Sequence, residues 1–99
     1  MYYIISLIHT RKHSDHIHLW RPDNAGYCCS QESAGLYAEP QKDYHDSDIN
    51  MPVEKEILDK LFIELPYLEN VNLRMIPNCK TVWNALKVKM TKDGLRRIF

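Results

Sequence analysis

The chain has 99 residues, 44% of them apolar and 26% charged, with thirteen basic and thirteen acidic side chains. One core of ordinary size fits that length, and so balanced a charge argues against both a basic protein that coats duplex DNA and an acidic one that imitates it. No run reaches the ~18 apolar residues a membrane span needs, and the first residues carry neither a basic leader nor a small-residue cleavage site, so a soluble cytoplasmic protein is expected.

Tyr2 to Thr10 (YYIISLIHT) is rich in β-branched and aromatic residues and apolar on both faces, which predicts a central strand. Arg11 to Asp15 is polar and short, a hairpin loop. His16 to Arg21 alternates Ile17 and Leu19 against His16, His18 and Trp20, and should pair antiparallel with the first strand.

Arg21-Pro22-Asp23-Asn24-Ala25-Gly26 is turn chemistry: Pro22 fixes φ, Asp23 and Asn24 bond their own backbone, and Gly26 tolerates positive φ. Tyr27 to Cys29 reads as a third short strand. Ser30 or Ser33 caps one helical turn before Gly35, and Ala38 to Asp46 reads as a second short helix. The polar stretch His45 to Asn50 is expected to be mobile.

Pro52 to Leu65 places Val53, Ile57, Leu58, Leu61, Phe62 and Leu65 on one helical stripe, with Glu56 and Lys60 paired on the other face. Val71 to Ile76 alternates as a strand. Asn78 is placed to cap a helix from Cys79 to about Met90, with Val82, Trp83, Leu86 and Met90 on its buried side. Lys92 to Gly94 is a turn, and Leu95 to Phe99 an edge strand. The expectation is one α+β domain over residues 1–99: an antiparallel sheet of three or four strands with two main helices on one face.

The search for chemistry is sparse. His9, His13, His16 and His18 gather near Cys28 and Cys29, but their spacing fits no zinc module, and surface histidines are the preferred reading. Cys28 or Cys79 beside a histidine is the minimum for a thiol nucleophile, without an orienting residue or oxyanion site. Asp43, Asp46 and Asp48 lack the glycine and glutamate of a calcium loop, and no phosphate-binding glycine motif occurs. Neither a cofactor nor a metal is expected, nor an enzyme. Nucleic acid is the alternative ligand, through Arg11, Lys12 and His13 or Arg96 and Arg97, with Trp20 and Tyr27 stacking on bases. Protein binding is preferred, because Trp, Tyr and Arg are the residues that anchor interfaces. The candidate anchors are Trp20, Arg21, Asn24, Tyr27 and Tyr37, with Arg11 and Lys12 on the neighbouring loop. Trp20 and Tyr37 read equally well as core aromatics that clamp the turn.

Leu19-Trp20-Arg21-Pro22-Asp23-Asn24-Ala25-Gly26-Tyr27, followed by Ala34-Gly35-Leu36-Tyr37, resembles a group of small phage and prophage proteins that open on a YYIISL-like strand. The likeness covers the first half of the chain well and the second loosely. It brings no catalytic residues. It implies a non-enzymatic accessory protein that binds and blocks a bacterial host protein, such as a CRISPR–Cas or other defence complex.

Overall fold

A computed structural model describes residues 1–98. Its organising strand is β1 (Tyr2–Ser6), which pairs antiparallel with β2 (Leu19–Trp20) on one side and β4 (Asn50–Glu54) on the other. β3 (Tyr27–Cys28) lies outside β2 and completes a four-stranded sheet of order β3-β2-β1-β4. The β1–β2 pairing was expected; β1 is shorter than its sequence run. The Thr10 hydroxyl ends the strand, donating to Ser6 O at 2.9 Å and accepting the His18 amide at 3.0 Å.

Side-chain alternation sends Tyr3, Ile5 and Leu19 into the main core, where they meet Leu58, Phe62, Ile76, Val82 and Leu95. Ile4 and Trp20 face the other way and are also buried. That second face is covered by the loop from Tyr37 to Ile49, whose Tyr37 bridges Tyr2 backbone to backbone.

The predicted pair of main helices is not present. Among the described residues, eight strands form three antiparallel sheets, and a single helix reaches seven residues. Pro52 to Leu65, expected as one helix, splits into three parts. Asn50–Glu54 is spent on pairing with all five residues of β1, so a strand forms where the apolar spacing suits a helix. A single turn, α1 (Lys55–Leu58), follows, and then β5 (Ile63–Leu68). Of the supposed stripe, Val53, Leu58 and Phe62 are buried, whereas Ile57 is 49% exposed. The ion pair on α1 is Lys55–Asp59 at 2.5 Å, not Glu56–Lys60.

The strand expected at Val71–Ile76 is found as β6 (Val71–Met75), paired with β5 through a two-residue turn at Glu69-Asn70, where Asn70 takes φ 62°. The helix expected from Cys79 to Met90 stops early. α2 (Lys80–Leu86) ends at Lys87, which turns left-handed at φ 59°, and the chain then alternates as β7 (Val88–Thr91). Asn78 does not cap α2. Cys79 holds the cap position without a side-chain bond, and Asn78 is used elsewhere. β8 (Gly94–Arg97) closes the third sheet against β7, with Lys92-Asp93 as the tip.

Two expectations for residues 38–50 also fall. Ala38 to Asp46 forms turns rather than a helix, with Asp43 at φ 66°. His45 and Asn50, read as part of a mobile stretch, are 3% and 5% exposed and fully engaged. No helix among the described residues is long and apolar enough to cross a membrane.

Candidate interaction site

The turn at Pro22–Asn24 begins as β2 ends, with Asp23 and Asn24 both at positive φ. Gly35 lies against it so closely that a Cβ there would stand 2.6 Å from Pro22 N. The Tyr37 hydroxyl donates to Arg21 O and accepts the Asn24 amide at 3.1 Å. Behind the turn, His45 accepts the Gln41 amide on Nδ1 at 2.8 Å. Its proton therefore sits on Nε2, which donates to Asn24 Oδ1 at 2.8 Å. Burial holds this imidazole below its ordinary pKa. Trp20 is the centre: its indole meets Tyr27, Tyr44 and His45 edge-on at 5.1 to 5.8 Å between centroids.

The expected anchors therefore separate. Trp20 is 5% exposed, a clamp inside the fold. The Tyr37 hydroxyl and the backbone N–H and Oδ1 of Asn24 are bonded within the same clamp, although Asn24 itself is exposed. Arg21 and Tyr27 reach the surface, with Arg21 Nε donating to Tyr27 O at 3.0 Å and the Tyr27 ring resting on His9 at 4.1 Å. Arg11 and Lys12 are exposed on the loop after β1 and do not join this group. Burial pushes the Cys28 and Cys29 thiols up, the direction opposite to the one that activates a thiol. No group of three or more His, Cys, Asp or Glu side chains among the described residues is placed to hold a metal ion.

A run of unspent apolar surface lies elsewhere. The register of β5 and β6 pairs Ile63 with Met75, Leu65 with Leu73 and Leu68 with Val71, which puts all six on one face. Glu64, Pro66, Asn72 and Arg74 occupy the other. At the root of this face Met75 is buried, while its cross-strand partner Ile63 is 44% exposed. Toward the tip it is open: Tyr67 is 59% exposed, Leu68 63% and Val71 42%. The hairpin is held to the body through β6, by Gln31 N–H to Arg74 O at 2.8 Å and Arg74 N–H to Glu32 Oε1 at 3.2 Å. Among the described residues β5 has no neighbour on its outer side, and Pro66 leaves the strand one donor short. An open groove of about 620 Å³ runs between the hairpin and β3, lined by Arg21, Cys28, Cys29, Pro66, Tyr67 and Leu73. Of the expected anchors, Arg21 is the one that meets this surface.

The helical period of the apolar residues in Pro52–Leu65 masks this hairpin in the sequence. The available signal was Glu69-Asn70 between two alternating runs. Comparison of the chain with models of protein families, with curated proteins and with solved structures finds no match in any of the three.

Proposed function

We propose that this protein works by contact, docking the apolar face of β5–β6 and the adjoining Arg21 groove onto a bacterial host protein and covering a functional surface there. The observation that carries the reading is the tip of that face, where Tyr67, Leu68 and Val71 are each more than two-fifths exposed on a projecting two-stranded ribbon. A ribbon of two strands is marginal by itself, and a contiguous apolar face left in water marks an interaction surface. Tyr and Arg on its rim are the residue types that dominate binding energy. The likeness of residues 19–37 to small phage proteins supports a host protein in the bacterial cytoplasm as partner, with a defence complex as the narrower candidate.

The test is co-purification from bacterial lysate using the full chain and its Leu68→Asp variant. Leu68 is exposed, so the substitution should alter stability by no more than ~0.5 kcal/mol. Recovery of a stoichiometric protein by the wild type and its loss in Leu68→Asp supports the reading. The same protein retained by Leu68→Asp, or none recovered by the wild type, refutes it.

A further inference from the structure

The charge balance of the whole chain conceals a local imbalance. Residues 79–98 hold six cations (Lys80, Lys87, Lys89, Lys92, Arg96 and Arg97) against the single anion Asp93, while the first 78 residues hold seven against twelve. Within β7–β8, Lys89 stands directly opposite Arg96, and both are exposed. Like charges so placed repel. The two ion pairs among the described residues are Lys55–Asp59 and Arg97–Asp46, so neither Lys89 nor Arg96 is relieved by a carboxylate.

Beside this hairpin lies a groove of about 390 Å³ lined by Lys12, Trp83, Met90, Thr91 and Lys92. It has two lysines, one aromatic ring and no acid. Trp83 is half-buried, and its indole N–H donates to Asn78 Oδ1 at 2.8 Å. The amide of Asn78 in turn donates to Arg11 O at 2.9 Å and Ser14 O at 2.8 Å. One side chain thus fixes both the indole and the loop that carries Arg11 and Lys12. The only polar atom of Trp83 is satisfied inside the protein, so what it offers outward is hydrocarbon ring.

We infer that this groove binds single-stranded nucleic acid, with a base against Trp83 and Met90 and the flanking phosphates on Lys12 and Lys92. A flat aromatic surface between cations is what a splayed-out base with its phosphates matches. An acidic peptide would meet the lysines but has no matching use for the ring. Lys89, Arg96 and Arg11 add to the attracting field. This site lies apart from the β5–β6 face and stands or falls independently of it.

The test is a titration of the full chain with an oligothymidylate or oligouridylate of about twelve nucleotides, following tryptophan emission at about 50 mM salt. Trp20 is buried, so Trp83 supplies the response. Saturable quenching is expected. Lys12→Glu together with Lys92→Glu, both at exposed positions, should weaken binding at least ~10-fold and reduce the slope of log K against log salt by about 1.4, two phosphate contacts at about 0.7 each. Preference between the two oligomers assigns DNA or RNA. Absence of quenching, an unchanged affinity in the double variant, or equal competition by polyglutamate of the same charge would overturn the assignment.

Discussion

The indole N–H of Trp20 donates to Oδ1 of Asn50 at 3.1 Å, joining the end of β2 to the start of β4 across the sheet. Asn50 Nδ2 donates to Tyr44 O at 2.9 Å, and its own carbonyl accepts from Arg97 at 2.9 Å. The side-chain amide of this buried residue therefore joins the sheet to the covering loop, and its backbone carbonyl ties in β8. Asn50→Ala leaves the Trp20 N–H without a partner in a buried setting and frees the part-buried Tyr44 carbonyl, at a cost of about 2–3 kcal/mol. For a domain of this size the midpoint of thermal unfolding should fall by roughly 10–20 °C. Thermal denaturation followed by near-ultraviolet circular dichroism measures it; a change within ~2 °C would show that the bridge is dispensable.

The glycines should rank by their surroundings. A Cβ at Gly35 would meet Pro22 N at 2.6 Å and Arg21 C at 2.8 Å, both backbone atoms that cannot rotate away. A Cβ at Gly26 meets nothing within 4 Å, and only its φ of +95° opposes substitution. Gly35→Ala is expected to cost at least ~2 kcal/mol and Gly26→Ala about 1 kcal/mol. Denaturant unfolding gives both values, and the reverse order would contradict the packing of Gly35 on the turn.

Stability should decline in two separate steps on acidification. Burial lowers the His45 pKa, and a proton on Nδ1 would also break the bond from the Gln41 amide. The unfolded chain then takes up the proton more readily than the folded one. The stability tied to neutral His45 is complete above about pH 6.5 and is lost as pH falls toward the folded value. His18, also lowered by burial, acts in the same direction. Asp59 defines the second step. Burial opposes its ionisation, but hydrogen bonds from Lys55, Tyr3 and Gln31 outweigh that and hold its pKa down. Its contribution is present above about pH 4 and is lost below it. Unfolding midpoints measured across this range, with the His45 Cε1 proton followed by NMR, test both. A His45 titration midpoint above about 6.5 would contradict the burial described here.

Elements whose pairing is local were readable from the residues. Tyr2 to Trp20 announces a hairpin, Pro22 to Gly26 a turn, and Lys92 to Gly94 another. The stretch from Pro52 to Leu65 misleads because its apolar residues fit a helix, while the strand at Asn50–Glu54 is imposed by β1, some fifty residues away in the chain. Cys79 to Met90 misleads likewise: the helical spacing runs through Lys87, where the backbone turns left-handed. Arg21, a candidate anchor whose exposure the residues alone leave open, lies on the surface beside the turn. Trp20 could not be told from a surface anchor, because its burial depends on a loop that begins at Tyr37. Tyr67 and Leu68 escape notice because both lie in the gap between the helix expected to end at Leu65 and the strand expected from Val71.

The claim that the β5–β6 face is the working surface is tested most directly by hydrogen–deuterium exchange of the protein alone and bound to the protein it captures. The account predicts new protection concentrated between Ile63 and Met75 and at Arg21, with residues 79–98 unchanged. Protection confined to other parts of the chain, with 63–75 exchanging as in the free protein, would contradict it.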